Sequence, residues 1–76
     1  MEKKIELTEL ELKMLKMNVD RTYFAPDCTD EEIEAMHSVI DKADNLMEEL
    51  EAYEESGSDL MKWFLKKYQE QNKGNL

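Results

Sequence analysis

The sequence predicts an all-α protein, a small three-helix bundle with a long central acidic helix, in one domain spanning residues 1–76. Three observations predict it. Two T-x-x-E boxes, Thr8 with Glu11 and Thr29 with Glu32, are built to satisfy free backbone amides at helix starts. Apolar residues follow each box at three- and four-residue spacing, the period of a helix with one buried face. The Leu/Lys/Glu/Met composition also favours helix over strand.

The first helix is expected over about residues 8–23. Its apolar line is Leu12, Leu15, Val19 and Tyr23, widened by Leu10, Met14 and Met17. Leu10, Leu12 and Met14 also alternate as a strand would, but the capping box and the composition decide for helix. Pro26 then ends the segment and forces Ala25 toward extended geometry. The second helix is expected over residues 30–55, about 39 Å at 1.5 Å per residue. Ser56-Gly57-Ser58 stops it, with Gly57 suited to a left-handed C-terminal cap. The third is expected over about residues 59–71, capped by Ser58. Leu60, Met61, Phe64, Leu65 and Tyr68 lie on one face and Trp63 flanks it. Residues 1–4 and 72–76 are expected to fray.

A chain of 76 residues gains little from its core, so it needs a staple or a partner. Cys28 is the single cysteine, which rules out an intramolecular disulfide and a zinc site built on two or more thiolates. One unpaired thiol fits a reducing compartment, and the chain shows neither a signal-peptide core nor an apolar run of transmembrane length. The expected location is therefore the cytoplasm, and the expected means of burying more surface is a homodimer. The net charge of −9 repels nucleic acid and anionic membrane, so neither is expected as a direct partner.

The charge is unevenly distributed. Residues 1–26 hold five acids and five bases, residues 27–55 twelve acids and one base, and residues 56–76 two acids and four bases. On a helical projection the second helix carries two apolar lines. One is a coiled-coil-like seam of Ile33, Met36, Ile40, Ala43, Met47 and Leu50; the other is Ala35, Val39, Leu46 and Tyr53. Off the seam by roughly 100° runs a third line: Asp30, Glu34, His37, Asp41, Asp44, Glu48, Glu51 and Glu55. Seven of its eight members are acidic, and the eighth is the only histidine.

Glu34 and His37 have the Glu-x-x-His spacing of di-metal helical bundles. Such ligands project inward and need a matching set from facing helices. Here they lie on the outward line and no second histidine exists, so neither a metal nor any other cofactor is expected. The carboxylate pairs Glu31/Glu34 and Asp41/Asp44 have a magnesium-binding spacing, but charged pairs recur by chance in a chain that is 38% charged. Cys28 lies near a helix start that would stabilise a thiolate, while Asp27 and Asp30 disfavour it and His37 is over two turns away. No enzymatic activity is expected.

Like charges at i, i+3 and i, i+4 cost a helix a few tenths of a kcal/mol per pair, and solubility does not require them concentrated on one helix. Lys62, Lys66 and Lys67 are too few to cover seven carboxylates. The line of eight is thus the expected contact surface for a basic protein partner, such as a nucleic-acid-binding protein. In size, charge and composition the chain is similar to phage-encoded inhibitors, including anti-CRISPR and other DNA-mimicking proteins. That likeness implies an inhibitor that competes with nucleic acid. The alternative is a regulatory module that works through its apolar seam, as a homodimer or by binding a partner helix, with the acidic line serving only solubility.

Overall fold

The computed structural model describes residues 4–57 and 59–73, and every regular element among them is helical. Helix α1 spans Glu9–Val19, and a single 3-10 turn, Ala25–Asp27, leads into α2, Asp30–Leu50. A one-turn helix α3, Tyr53–Ser56, precedes α4, Leu60–Lys73. No described helix is long and apolar enough to cross a membrane. The expected frayed ends lie outside the described residues at 1–3 and 74–76, while α4 runs two residues past its expected end.

Both capping boxes form. Thr8 Oγ1 accepts the Glu11 amide at 3.1 Å and Glu11 Oε1 accepts the Thr8 amide at 3.0 Å. Thr29 and Glu32 repeat the exchange at 3.2 and 2.9 Å. The helix ends differ from expectation. α1 stops at Val19, well before Pro26, because Arg21 takes a left-handed φ of 60°. That conformation lets the Thr22 amide bond Met17 O at 2.8 Å and the Arg21 amide bond Asn18 O at 3.1 Å, a Schellman closure.

The helix expected over 30–55 is likewise two elements. Glu51 is left-handed at φ 50°, the Ala52 amide bonds Met47 O at 3.1 Å, and Ala52 buries against the core with Met47 packed nearby. Extending α2 through Glu54 and Glu55 would add carboxylates at the negative end of the helix dipole, whereas the turn buries Ala52 instead. Gly57 does take a positive φ of 62°, but it closes α3, not α2. Ser58 lies outside the described residues; Asp59 caps α4, its Oδ1 accepting the Lys62 amide at 3.0 Å.

α1 and α2 run antiparallel: Glu11 meets Ser38 and Lys42, and Lys13, further along α1, meets Glu32 at the start of α2. α4 packs against both. Met14 and Leu15 of α1, Met36, Val39 and Ala43 of α2, and Met61, Trp63 and Phe64 of α4 form the core with Ala35 and Ala52. Fully burying one such large side chain contributes about 1.5–3 kcal/mol. The extended segment before α1 is held as well. The Ile5 amide donates to Gln71 Oε1, and Gln71 Nε2 donates to Ile5 O at 2.9 Å, so one α4 amide brackets one residue's backbone.

The faces are rotated from those read off the sequence. On α1 the core-facing positions are Glu11, Met14 and Leu15, and Leu12 is only half-buried. On α2 the buried strip is Ala35, Met36, Val39 and Ala43, which lies between the two expected apolar lines and draws from both. The seam is consequently packed within the chain through Met36, Ala43, Ile40 and Met47, while Leu50 stands 52% exposed.

Candidate protein-binding face

The rotation of α2 settles where the acidic line points. With Val39 at the centre of the buried strip, Asp30 and Glu48 point about 180° away from it at 100° per residue. Asp30, Glu34, His37, Asp41, Asp44 and Glu48 are all exposed, along about 27 Å of one helix face. Among the described residues none of these six takes part in an ion pair. The other two members leave the line. Glu51 is exposed but sits in the left-handed turn that ends α2, and Glu55 rides on α3. The continuous row of eight is therefore a row of six plus a corner, because the helix that would carry all eight ends at Leu50.

The lysines explain why the row keeps its charge. Lys42 is the only base in residues 27–55, and it does not serve the row. It reaches across to α1, donating to Glu11 Oε1 at 3.0 Å and to the Glu6 carbonyl at 2.8 Å, with Glu11 Oε2 2.9 Å away. Ser38, one turn earlier on the same flank, donates to Glu11 Oε2 at 2.8 Å. Burial alone would raise the Glu11 pKa. The bonds from Lys42, the Thr8 amide and Ser38 outweigh it and lower the carboxyl to about 2.

The second box is cross-linked the same way. Lys13 of α1 donates to Glu32 Oε2 at 3.0 Å, and the Thr29 amide together with Lys13 holds that carboxyl below its ordinary value. Of the α4 lysines, Lys67 pairs with Glu55 at 2.7 Å and lies 6.0 Å from the centre of the Trp63 ring. That pairing lowers the Glu55 carboxyl and raises the Lys67 ammonium. Trp63 is 5% exposed, and its Nε1 makes no hydrogen bond among the described residues, although the indole N–H lies near enough to Glu55 to help stabilise the carboxylate.

Other sequence features resolve simply. His37 and Glu34 stand outward, and among the described residues no three His, Cys, Asp or Glu side chains group to hold a metal. Cys28 is half-buried and its thiol approaches the Phe24 carbonyl at 3.5 Å.

Sequence reasoning missed the corner beyond the row. Leu50 and Tyr53, assigned to the two apolar lines, are instead 52% and 59% exposed, on either side of the left-handed Glu51. With no glycine between them to mark a break, nothing in the local sequence signalled it. Among the described residues the other large exposed apolar side chain, Phe24, precedes α2 by several residues and so lies at the opposite end of a helix about 30 Å long. Comparison with known protein families, with curated proteins and with solved structures finds no match for this chain.

Proposed function

We propose that this chain is a non-enzymatic interaction protein of inhibitor type. The outward face of α2 docks on a basic surface, that of a nucleic-acid-binding protein, and occupies the place of a phosphate backbone. The fold that presents it is a three-helix bundle of α1, α2 and α4, with α3 as a corner. The observation that carries the reading is the direction of Lys42. The one cation able to neutralise the row from its own helix is committed to Glu11, and among the described residues no ion pair compensates Asp30, Glu34, Asp41, Asp44 or Glu48. One helical turn separates successive carboxylates by about 5.4 Å, against about 3.4 Å between phosphates of one DNA strand, so the match is one of charge row and not of register.

Docking through the apolar seam has less support, since Met36 and Ala43 are buried inside the single chain. The test is affinity capture from a lysate of the source cells, comparing the wild type with the triple variant Asp41→Lys, Asp44→Lys and Glu48→Lys. A basic nucleic-acid-binding protein should be held at low salt and released at high salt, where charges more than a few ångströms apart are screened. It should be lost from the variant and displaced by duplex DNA in competition. Equal capture by the variant would end the acidic-face reading.

A further inference from the structure

The acidic row does not end in solvent. At its C-terminal end the left-handed Glu51 turns the chain, and a depression opens that is lined by Leu50, Ala52 and Tyr53 and rimmed by Glu48, Glu51, Glu54 and Glu55. Ala52 is buried and forms the floor, whereas Leu50 and Tyr53 keep more than half their surface exposed. Two large apolar groups left in water beside a packed core lose the contribution each would make if buried.

The electrostatics of the corner are one-sided. α2 has no basic residue in its last turn, so the partial negative charge of its terminal carbonyls adds to the rim carboxylates of Glu48, Glu51 and Glu54. Lys67 is paired with Glu55, the fourth carboxylate of the rim, at 2.7 Å. Among the described residues no ion pair neutralises Glu48, Glu51 or Glu54.

Resting on the acidic-face reading, we infer that the depression between Leu50 and Tyr53 seats an apolar side chain of the partner, flanked by lysine or arginine, so that the bound element is a cationic amphipathic segment. Charge complementarity selects the flanks and the apolar pair selects the centre. Exposed charges alone would give a contact that salt dissolves, while burial of Leu50 and Tyr53 adds a component that salt leaves intact. The row along α2 then orients the partner, and the corner retains it.

The test uses two synthetic peptides of about 18 residues, roughly five helical turns. One is a leucine–lysine amphipathic helix, and the other is a lysine–glycine peptide of equal charge. Binding is measured by calorimetry and mapped by amide shifts, at low salt and at about 0.5 M NaCl. The amphipathic peptide should bind at least about tenfold more tightly, should shift the amides of Leu50, Ala52 and Tyr53, and should stay bound at the higher salt. The double variant Leu50→Ser and Tyr53→Ser should reduce its affinity to that of the lysine–glycine peptide. Both side chains are exposed, so the variant's helix content should match the wild type by circular dichroism. If both peptides bind alike and shift only residues 34–44, the corner is not the seat, and the acidic-face reading stands without it. If neither binds, the inference and the reading fail together.

Discussion

Glu11 is the buried carboxylate on which α1 and α2 are joined, and protonating it should be visible as lost stability. Its pKa is lowered from 4.5 to about 2. At about 1.36 kcal/mol per unit, that depression corresponds to roughly 3 kcal/mol of stability at neutral pH. The glutamate is 6% exposed, which argues for keeping most of this figure, but the Lys42 side chain is 41% exposed and part of its attraction is screened. About 2–3 kcal/mol is the working value. Because the folded pKa lies below the unfolded one, the contribution is complete above about pH 5 and is lost as pH falls toward 2.

Glu32 and Glu55 are lowered too, so acid weakens the protein at more than one site, and the wild-type curve alone would not isolate Glu11. The comparison with Glu11→Gln does isolate it. Urea denaturation should show the variant less stable by about 2 kcal/mol at pH 7, with the gap closing by most of that amount by pH 3, where the wild-type carboxyl is being protonated in the unfolded chain. A gap that stays constant across this range would refute the reasoning, because Glu11 would then act as a neutral acceptor and not as a held charge.

Arg21→Gly should stabilise the protein by about 0.5–1 kcal/mol, since glycine takes the left-handed φ of 60° without the Cβ penalty; a lowered melting temperature would count against the Schellman closure. Phe64→Ala removes the largest fully buried side chain and should cost about 3–5 kcal/mol, a large share of what a domain this size possesses. Thermal circular dichroism should then show a melting temperature lower by at least about 15 °C, and a shift under about 5 °C would mean Phe64 is not at the centre. The reversal of Asp41, Asp44 and Glu48 to lysine should leave the fold intact and raise stability by a few tenths of a kcal/mol, since the three lysines still repel one another but reduce the net negative charge and suit the C-terminal half of α2. A clear loss in a denaturant titration would assign those carboxylates a structural task instead.

Helix starts were legible because their chemistry is local: Thr8 with Glu11 and Thr29 with Glu32 name the first residue of α1 and α2 almost to the position. Helix ends were not. Pro26 and Gly57 were the visible breakers, but α1 and α2 close earlier on Arg21 and Glu51, residue types that carry no left-handed signal and adopt it because Thr22 and Ala52 gain bonds and burial beyond them. The acidic row was readable from spacing as far as Glu48 and failed past the hidden end of α2. Glu11 was recognised as a cap and not as a core-facing anchor, because its second oxygen depends on Ser38 and Lys42, 27 and 31 residues away. Lys42 did offer a signal in hindsight, since it sits about 120° from Asp30 on the projection, off the acidic face.

The crossed arrangement of the two capping boxes has a consequence for how the chain opens. Each threonine–glutamate lock is closed by a lysine belonging to the other helix, Lys42 on Glu11 and Lys13 on Glu32. The start of α1 and the start of α2 are therefore not independent local switches. Separating the two helices strips a cation from both locks in the same event, and restoring either requires the hairpin to re-form. Hydrogen exchange should report this as one opening unit, with the amides of Glu11 and Glu32 protected by a common free energy although they are 21 residues apart. A peptide holding either helix alone would keep its box in sequence and lose the partner that fastens it.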